Sequence, residues 1–129
     1  MAPVRTYLGV AIGTLSLLLG ASITAPAASA ATGQKKCGAW VYSTLCVKEL
    51  SDGYQVSYYN DTGQIQHLDF NLNCSSGRYG DDGAFTSYPG WTSYYYFQVG
   101  VKTWCQGGMY DYDFAGGSGL WLWTNPLYH

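Results

Sequence analysis

Four cysteines constrain this chain more than any other feature. Cys37, Cys46, Cys74 and Cys105 all lie beyond residue 30, and the residues before them define the compartment. Arg5 precedes a short apolar run over residues 7–19, and Ala28-Ser29-Ala30 gives the small-residue pattern of a signal-peptidase site. That order is the pattern of a secretory signal peptide over residues 1–30. The apolar run is too short and interrupted to span a membrane, and no later run approaches about 18 apolar residues. The mature protein is therefore expected to be secreted, to begin at Ala31 and to form one small domain. In an oxidising compartment, an even cysteine count predicts two disulfides. Three pairings are open; the favoured one joins sequence neighbours, Cys37 with Cys46 and Cys74 with Cys105. A zinc site is disfavoured because no Cys-x-x-Cys occurs.

Charge narrows the partners. Lys35 and Lys36 sit together near the mature N-terminus. After them, only Lys48, Arg78 and Lys102 oppose all eight acidic side chains. A nucleic-acid binder needs a basic stripe to neutralise phosphates, and this body repels them. An anionic membrane surface is disfavoured for the same reason.

From Trp40 on, helix signals are scarce, and glycine, aromatic and β-branched residues dominate. The pattern predicts an all-β domain over residues 37–129. One or two short strands fall in 39–50. A strand over 54–59 is closed by Asn60-Asp61-Thr62-Gly63. Over 64–74, Leu68, Phe70, Leu72 and Cys74 alternate with His67, Asp69, Asn71 and Asn73. Residues 75–83 read as a polar loop and 93–105 as one long strand region, in which Tyr95, Phe97, Val99 and Val101 share a face. A further strand is expected over 109–114 and a last one over 120–124, stopped by Pro126. Six or seven short strands at this spacing predict a small, disulfide-stapled antiparallel β-sandwich. A closed barrel is the alternative.

Catalytic constellations are weak. Asp81 and Asp82 are adjacent in a Gly-rich loop and read as a solvated turn; a glycosidase needs two carboxylates facing each other across a sugar. Asp111 and Asp113 share a strand face where a cation could bridge them, but two ligands make a poor site. His67 and Asp69 share a face without the Gly-x-Ser-x-Gly of a nucleophile elbow. His129, the last residue, is expected to be mobile. No phosphate loop or dinucleotide fingerprint occurs. The expectation is a protein without catalytic residues, cofactor or metal.

Aromatics are the positive signal. Thirteen tyrosines, five tryptophans and four phenylalanines occur, and all but Tyr7 lie beyond residue 30. Tyr94-Tyr95-Tyr96 cannot all face inward on a strand, because successive side chains alternate. Trp121-Leu122-Trp123 raises the same point. Tyr94, Tyr96, Trp121 and Trp123 are thus the candidate contact residues, since exposed Tyr and Trp anchor interfaces and also stack on sugars. The opening stretch, Ala31, Thr32, Gly33, Gln34, Lys35 and Lys36, lacks large apolar groups and reads as a flexible tail. It is either a linker or a segment that orders in a partner's groove.

This combination resembles the small secreted adaptor family of the umbrella toxin particles made by filamentous actinobacteria. The likeness rests on the signal ending at Ala30, the lysine-bearing segment 31–36 and the four-cysteine aromatic β domain. It also rests on Leu68-Asp69-Phe70-Asn71-Leu72-Asn73-Cys74 and Tyr79-Gly80-Asp81-Asp82-Gly83-Ala84-Phe85. The resemblance implies a position between a large toxin subunit and a lectin-bearing subunit, with residues 31–36 docked in a cleft of the latter's trypsin-like domain. The leading expectation is accordingly a secreted, non-enzymatic adaptor of protein subunits in a toxin complex used in bacterial competition. An inhibitor of an extracellular hydrolase and a carbohydrate-binding module are the alternatives.

Overall fold

A computed structural model describes residues 33–39 and 44–129. The expected signal peptide, Ala31 and Thr32 lie outside the described residues. The chain forms β1 (Lys35–Cys37), β2 (Leu45–Leu50), β3 (Gly53–Tyr59), β4 (Gln66–Cys74), β5 (Gly77–Gly80), β6 (Phe85–Ser87), β7 (Thr92–Phe97), β8 (Trp104–Asp111), β9 (Leu120–Trp123) and β10 (Leu127–Tyr128). Two antiparallel sheets result. The first has the order β1-β2-β3-β7; the second runs β10-β8-β4-β5, with β6 also on β4 and β9 also on β8. The fold is all-β and sandwich-like, as the strand vocabulary predicts.

Alternation builds the core. Leu45, Val47, Tyr54, Val56 and Tyr58 face inward from the first sheet, and Leu68, Phe70, Leu72, Met109 and Leu122 from the second. Burying each large aliphatic side chain contributes roughly 1.5–3 kcal/mol. The layers meet closely at Gly107, where a Cβ would come within 3.1 Å of Val47 and 3.3 Å of Val56.

Both favoured disulfides are present, Cys37–Cys46 and Cys74–Cys105. Each joins residues directly opposite in neighbouring strands. The Gly38 amide donates to Leu45 O and the Ser75 amide to Trp104 O, so each cysteine pair occupies a non-hydrogen-bonded position of its ladder. Side chains approach most closely at such positions, which is where a disulfide fits.

Several boundaries differ from the sequence reading, each for a local reason. The flexible tail is corrected first, at residues 33–36. The Gly33 amide donates to Glu49 O and the Glu49 amide to Gln34 O, both at 2.8 Å. Lys35 and Lys36 pair with Lys48 and Val47. The Cys37–Cys46 bond holds the entering chain against β2, so pairing continues outward from it. The 93–105 region is two strands in different sheets. Its break includes Gly100, whose positive φ of 78° suits glycine and whose amide donates to Asp52 O. Val99 still packs against the core with Tyr95 and Phe97, but it lies beyond the end of β7. The 75–83 loop contains β5, a hairpin return on β4. Met109 belongs to β8, which ends at Asp111; there the Asp113 amide turns back to Asp111 Oδ1 at 3.0 Å. Pro126 interrupts pairing without ending it, since β10 resumes at Leu127. His129 is tied down: its amide donates to Thr103 O, and its Nδ1 lies 2.9 Å from Glu49 Oε2.

Candidate functional site

The outer face of the second sheet carries an aromatic cluster. Trp121 and Trp123 are two apart on β9 and project to the same side. Their rings stack at 5.4 Å with an interplanar angle of 16°. Tyr110 stands opposite Trp121 in the ladder, its ring 5.0 Å away, and Tyr112 packs edge-on to Tyr110 at 4.8 Å. Gly108 makes the arrangement possible, because a Cβ there would overlap the Trp123 ring. Arg78, on β5, lies over the cluster. Its guanidinium carbon is 4.3 Å from the Trp121 centroid and 4.8 Å from that of Trp123. Its Nε–H donates to Asn71 Oδ1 at 2.9 Å, which fixes its orientation. Cation–π contacts of this kind contribute about 0.5–2 kcal/mol each.

The outer face of the first sheet holds the other expected aromatics. Tyr94 and Tyr96 on β7 are 56% and 50% exposed, with rings edge-to-face at 5.6 Å. Their ladder partners are Ser57 and Gln55. Across the same face, Lys48 stands between Gln55 and Lys35. The four contact candidates thus form two pairs, Trp121 with Trp123 and Tyr94 with Tyr96, on the outward faces of different sheets. Lys35 and Lys36 are exposed at the far edge of the first sheet, and Gly33 and Gln34 precede them as hydrogen-bonded backbone.

A cleft of about 480 Å³ opens between β7 and the turn joining β5 to β6. Phe70, Asp81, Asp82, Phe85, Trp91 and Tyr95 are among the residues lining it. Asp81 Oδ2 accepts the Phe70 amide at 3.2 Å, and its Oδ1 accepts the Gly83 amide at 2.8 Å. Burial, then the facing Asp69 carboxyl, pushes the Asp81 pKa up to about 6. Asp82 Oδ1 accepts the Tyr95 hydroxyl at 3.2 Å. The expected solvated turn at Asp81-Asp82 is thus corrected at Asp81, whose carboxyl finishes the edge of β4.

The remaining candidates separate. His67 Nδ1 lies 3.0 Å from Asp113 Oδ2, and Asp69 instead accepts the Tyr112 hydroxyl at 3.4 Å. Asp111 and Asp113 do not share a strand face: Asp111 is buried and faces the Gln66 amide group, whereas Asp113 is exposed beyond the end of β8. The backbone amide of His67, donating at 2.7 Å, holds the Asp113 carboxyl below its usual range. Among the described residues, no three His, Cys, Asp or Glu side chains converge as a metal site, and no helix is long and apolar enough to cross a membrane. Two disulfides are compatible with an extracellular protein.

Sequence reasoning missed Arg78 and Trp91 as site residues and read Asp81 only as part of a solvated turn. Arg78 reaches aromatics more than forty residues ahead, and Asp81 meets Asp69 across a hairpin, so neither leaves a local pattern. The chain matches no protein-family model, no curated protein and no solved structure.

Proposed function

We propose that the mature chain is a secreted, non-enzymatic adaptor that joins protein subunits outside the cell. One observation carries this reading: two aromatic contact surfaces sit on the outward faces of opposite sheets. Tyr, Trp and Arg are the residues that dominate protein interfaces, and here they are held on strands rather than mobile loops. A protein with two such faces can hold two partners at once. The resemblance supplies the candidates, a large toxin subunit and a lectin-bearing subunit with a trypsin-like domain. Gly33, Gln34, Lys35 and Lys36 contribute an edge beside the first face; Thr32, the other expected contact, lies outside the described residues. The carbohydrate reading is weakened by Arg78, which occupies the Trp121 and Trp123 surface on which a sugar ring would stack. A hydrolase inhibitor needs only one of the faces.

The test is capture of native partners from culture medium by tagged protein, repeated with Trp121→Ala and with Tyr96→Ala. An adaptor loses one protein with the first variant and a different protein with the second. Loss of the same single enzyme with both supports an inhibitor, and capture of polysaccharide alone supports a sugar binder; either result overturns the adaptor.

A further inference from the structure

The longest free strand edge in the described molecule is β7. It pairs only with β3. The Asn60 amide donates to Trp91 O, and this sets the ladder so that Ser93, Tyr95 and Phe97 bond β3. Thr92, Tyr94 and Tyr96 then turn their amides and carbonyls to the open side. Natural edges are blunted by charge, proline or brevity. β1 carries two lysines, and β5, β6, β9 and β10 have four residues or fewer. β7 has six residues, Thr-Ser-Tyr-Tyr-Tyr-Phe, with no charge, glycine or proline.

The cleft runs beside this edge. It presents the carboxyls of Asp81 and Asp82 among Phe85, Trp91 and Tyr95, and among the described residues no basic one lines it. Asp81 is held in place by two backbone amides. A cation between these carboxylates and rings gains both Coulombic and cation–π attraction.

We propose that β7 accepts an extended segment of a protein partner as an added strand, and that the adjoining cleft takes a lysine or arginine from that segment. This deepens the protein-binding reading above and rests on it. Side chains of an added strand alternate. Those on one side lie along Tyr94 and Tyr96; those on the other enter the cleft. Main-chain bonds to Thr92, Tyr94 and Tyr96 give affinity without sequence preference, and the cleft selects the basic residue. A further copy of the chain is a poorer occupant. Its mature portion is acidic overall, and its nearest basic pair, Lys35 and Lys36, is engaged in β1.

The probe is a blocked pentapeptide, Thr-Val-Lys-Val-Thr, titrated into the full mature protein. Control peptides carry glutamate at the centre, or N-methyl groups on the amides facing β7. The lysine peptide is expected to slow hydrogen exchange at Thr92, Tyr94 and Tyr96 and to bind about ten-fold more tightly than the glutamate peptide. The N-methylated peptide is expected not to bind. Asp81→Asn with Asp82→Asn removes the lysine preference. Tyr94→Pro abolishes binding, since proline is tolerated where a strand amide faces outward. If that variant does not fold, the N-methylated peptide reads the same contact on the unaltered protein. Equal affinity for both charges, binding that survives N-methylation, or no binding at millimolar peptide overturns the proposal. So does a concentration-dependent dimer that protects these same amides. Retained partner capture with failed peptide binding sinks strand addition alone; peptide binding with no captured protein sinks the adaptor.

Discussion

Glu49, fully buried on β2, meets His129, the last residue of the chain, at 2.9 Å. Its other carboxyl oxygen has no hydrogen-bond partner among the described residues. Removing the imidazole therefore leaves a buried carboxyl unsatisfied at both oxygens. His129→Ala is expected to destabilise the fold by about 1–2 kcal/mol, reduced from a fully buried pair because His129 is half exposed. Urea denaturation measures it, and adding Glu49→Gln to His129→Ala is expected to recover part of the loss.

Removing residues 31–36 is expected to lower the melting temperature. The backbone of residues 33–36 forms bonds with β2, each with a net value of about 0.5–1.5 kcal/mol. A passive tail would leave the melt unchanged. Differential scanning calorimetry on the shortened chain decides between the two.

The disulfides are expected to contribute unequally. They close sequence separations of 9 and 31 residues. The chain-entropy relation gives roughly 2.5 and 3.5 kcal/mol respectively. Cys74→Ser with Cys105→Ser is thus expected to destabilise by about 1 kcal/mol more than Cys37→Ser with Cys46→Ser. Intact mass of the oxidised protein is expected to be about 4 Da below its reduced form, two hydrogens per bond.

Asp81 gives stability an unusual slope with pH. Its folded pKa, about 6, stands above the unfolded value of 3.8, so the folded state holds the proton more tightly. That contribution is full below about pH 3.8 and is lost as pH rises through 6. Asp113 acts oppositely: its carboxyl is held low, so its contribution is present above 3.8 and is lost on acidification. Asp81→Asn is expected to flatten stability between pH 4 and 6. Asp113→Asn is expected to lower stability at neutral pH. Urea midpoints across pH read both.

Gly108→Ala is expected to lift Trp123 from the sheet, because the added methyl occupies the ring's place. Tryptophan emission is expected to shift to the red, and binding through that face to fall by about ten-fold. Arg78→Ala is expected to uncover both rings without moving them.

The legible parts of the fold were those whose partners are already implied by alternation. Leu68, Phe70 and Leu72 declare a core face because β4 runs through the middle of its sheet, with one side packed and one open. Tyr94 and Tyr96 declare an outward face by the same alternation. β1, β5 and β10 carried no such mark. Each is a short pairing made by the strand it meets: β10 exists because Trp104 and Cys105 offer an edge at Leu127 and Tyr128. The site followed the same division. Trp121 and Trp123 are two residues apart and visible as a pair. The Arg78 guanidinium above them, and the Asp69 carboxyl against Asp81, come from chain returns with no local signature.

Both sulfur bonds lie within a sheet, and none crosses between the two. Each layer is therefore fastened across its own width. Among the described residues, the layers are joined to each other by apolar packing, by hydrogen bonds such as Tyr58 to Gln66 and His129 to Glu49, and by three chain crossings at residues 60–65, 88–91 and 98–103. A load pulling the outward faces apart would act along the direction that no disulfide reinforces. A domain built this way is expected to resist stretching along its plates and to yield by their separation, with reduction of either disulfide softening one plate and leaving the seam unchanged.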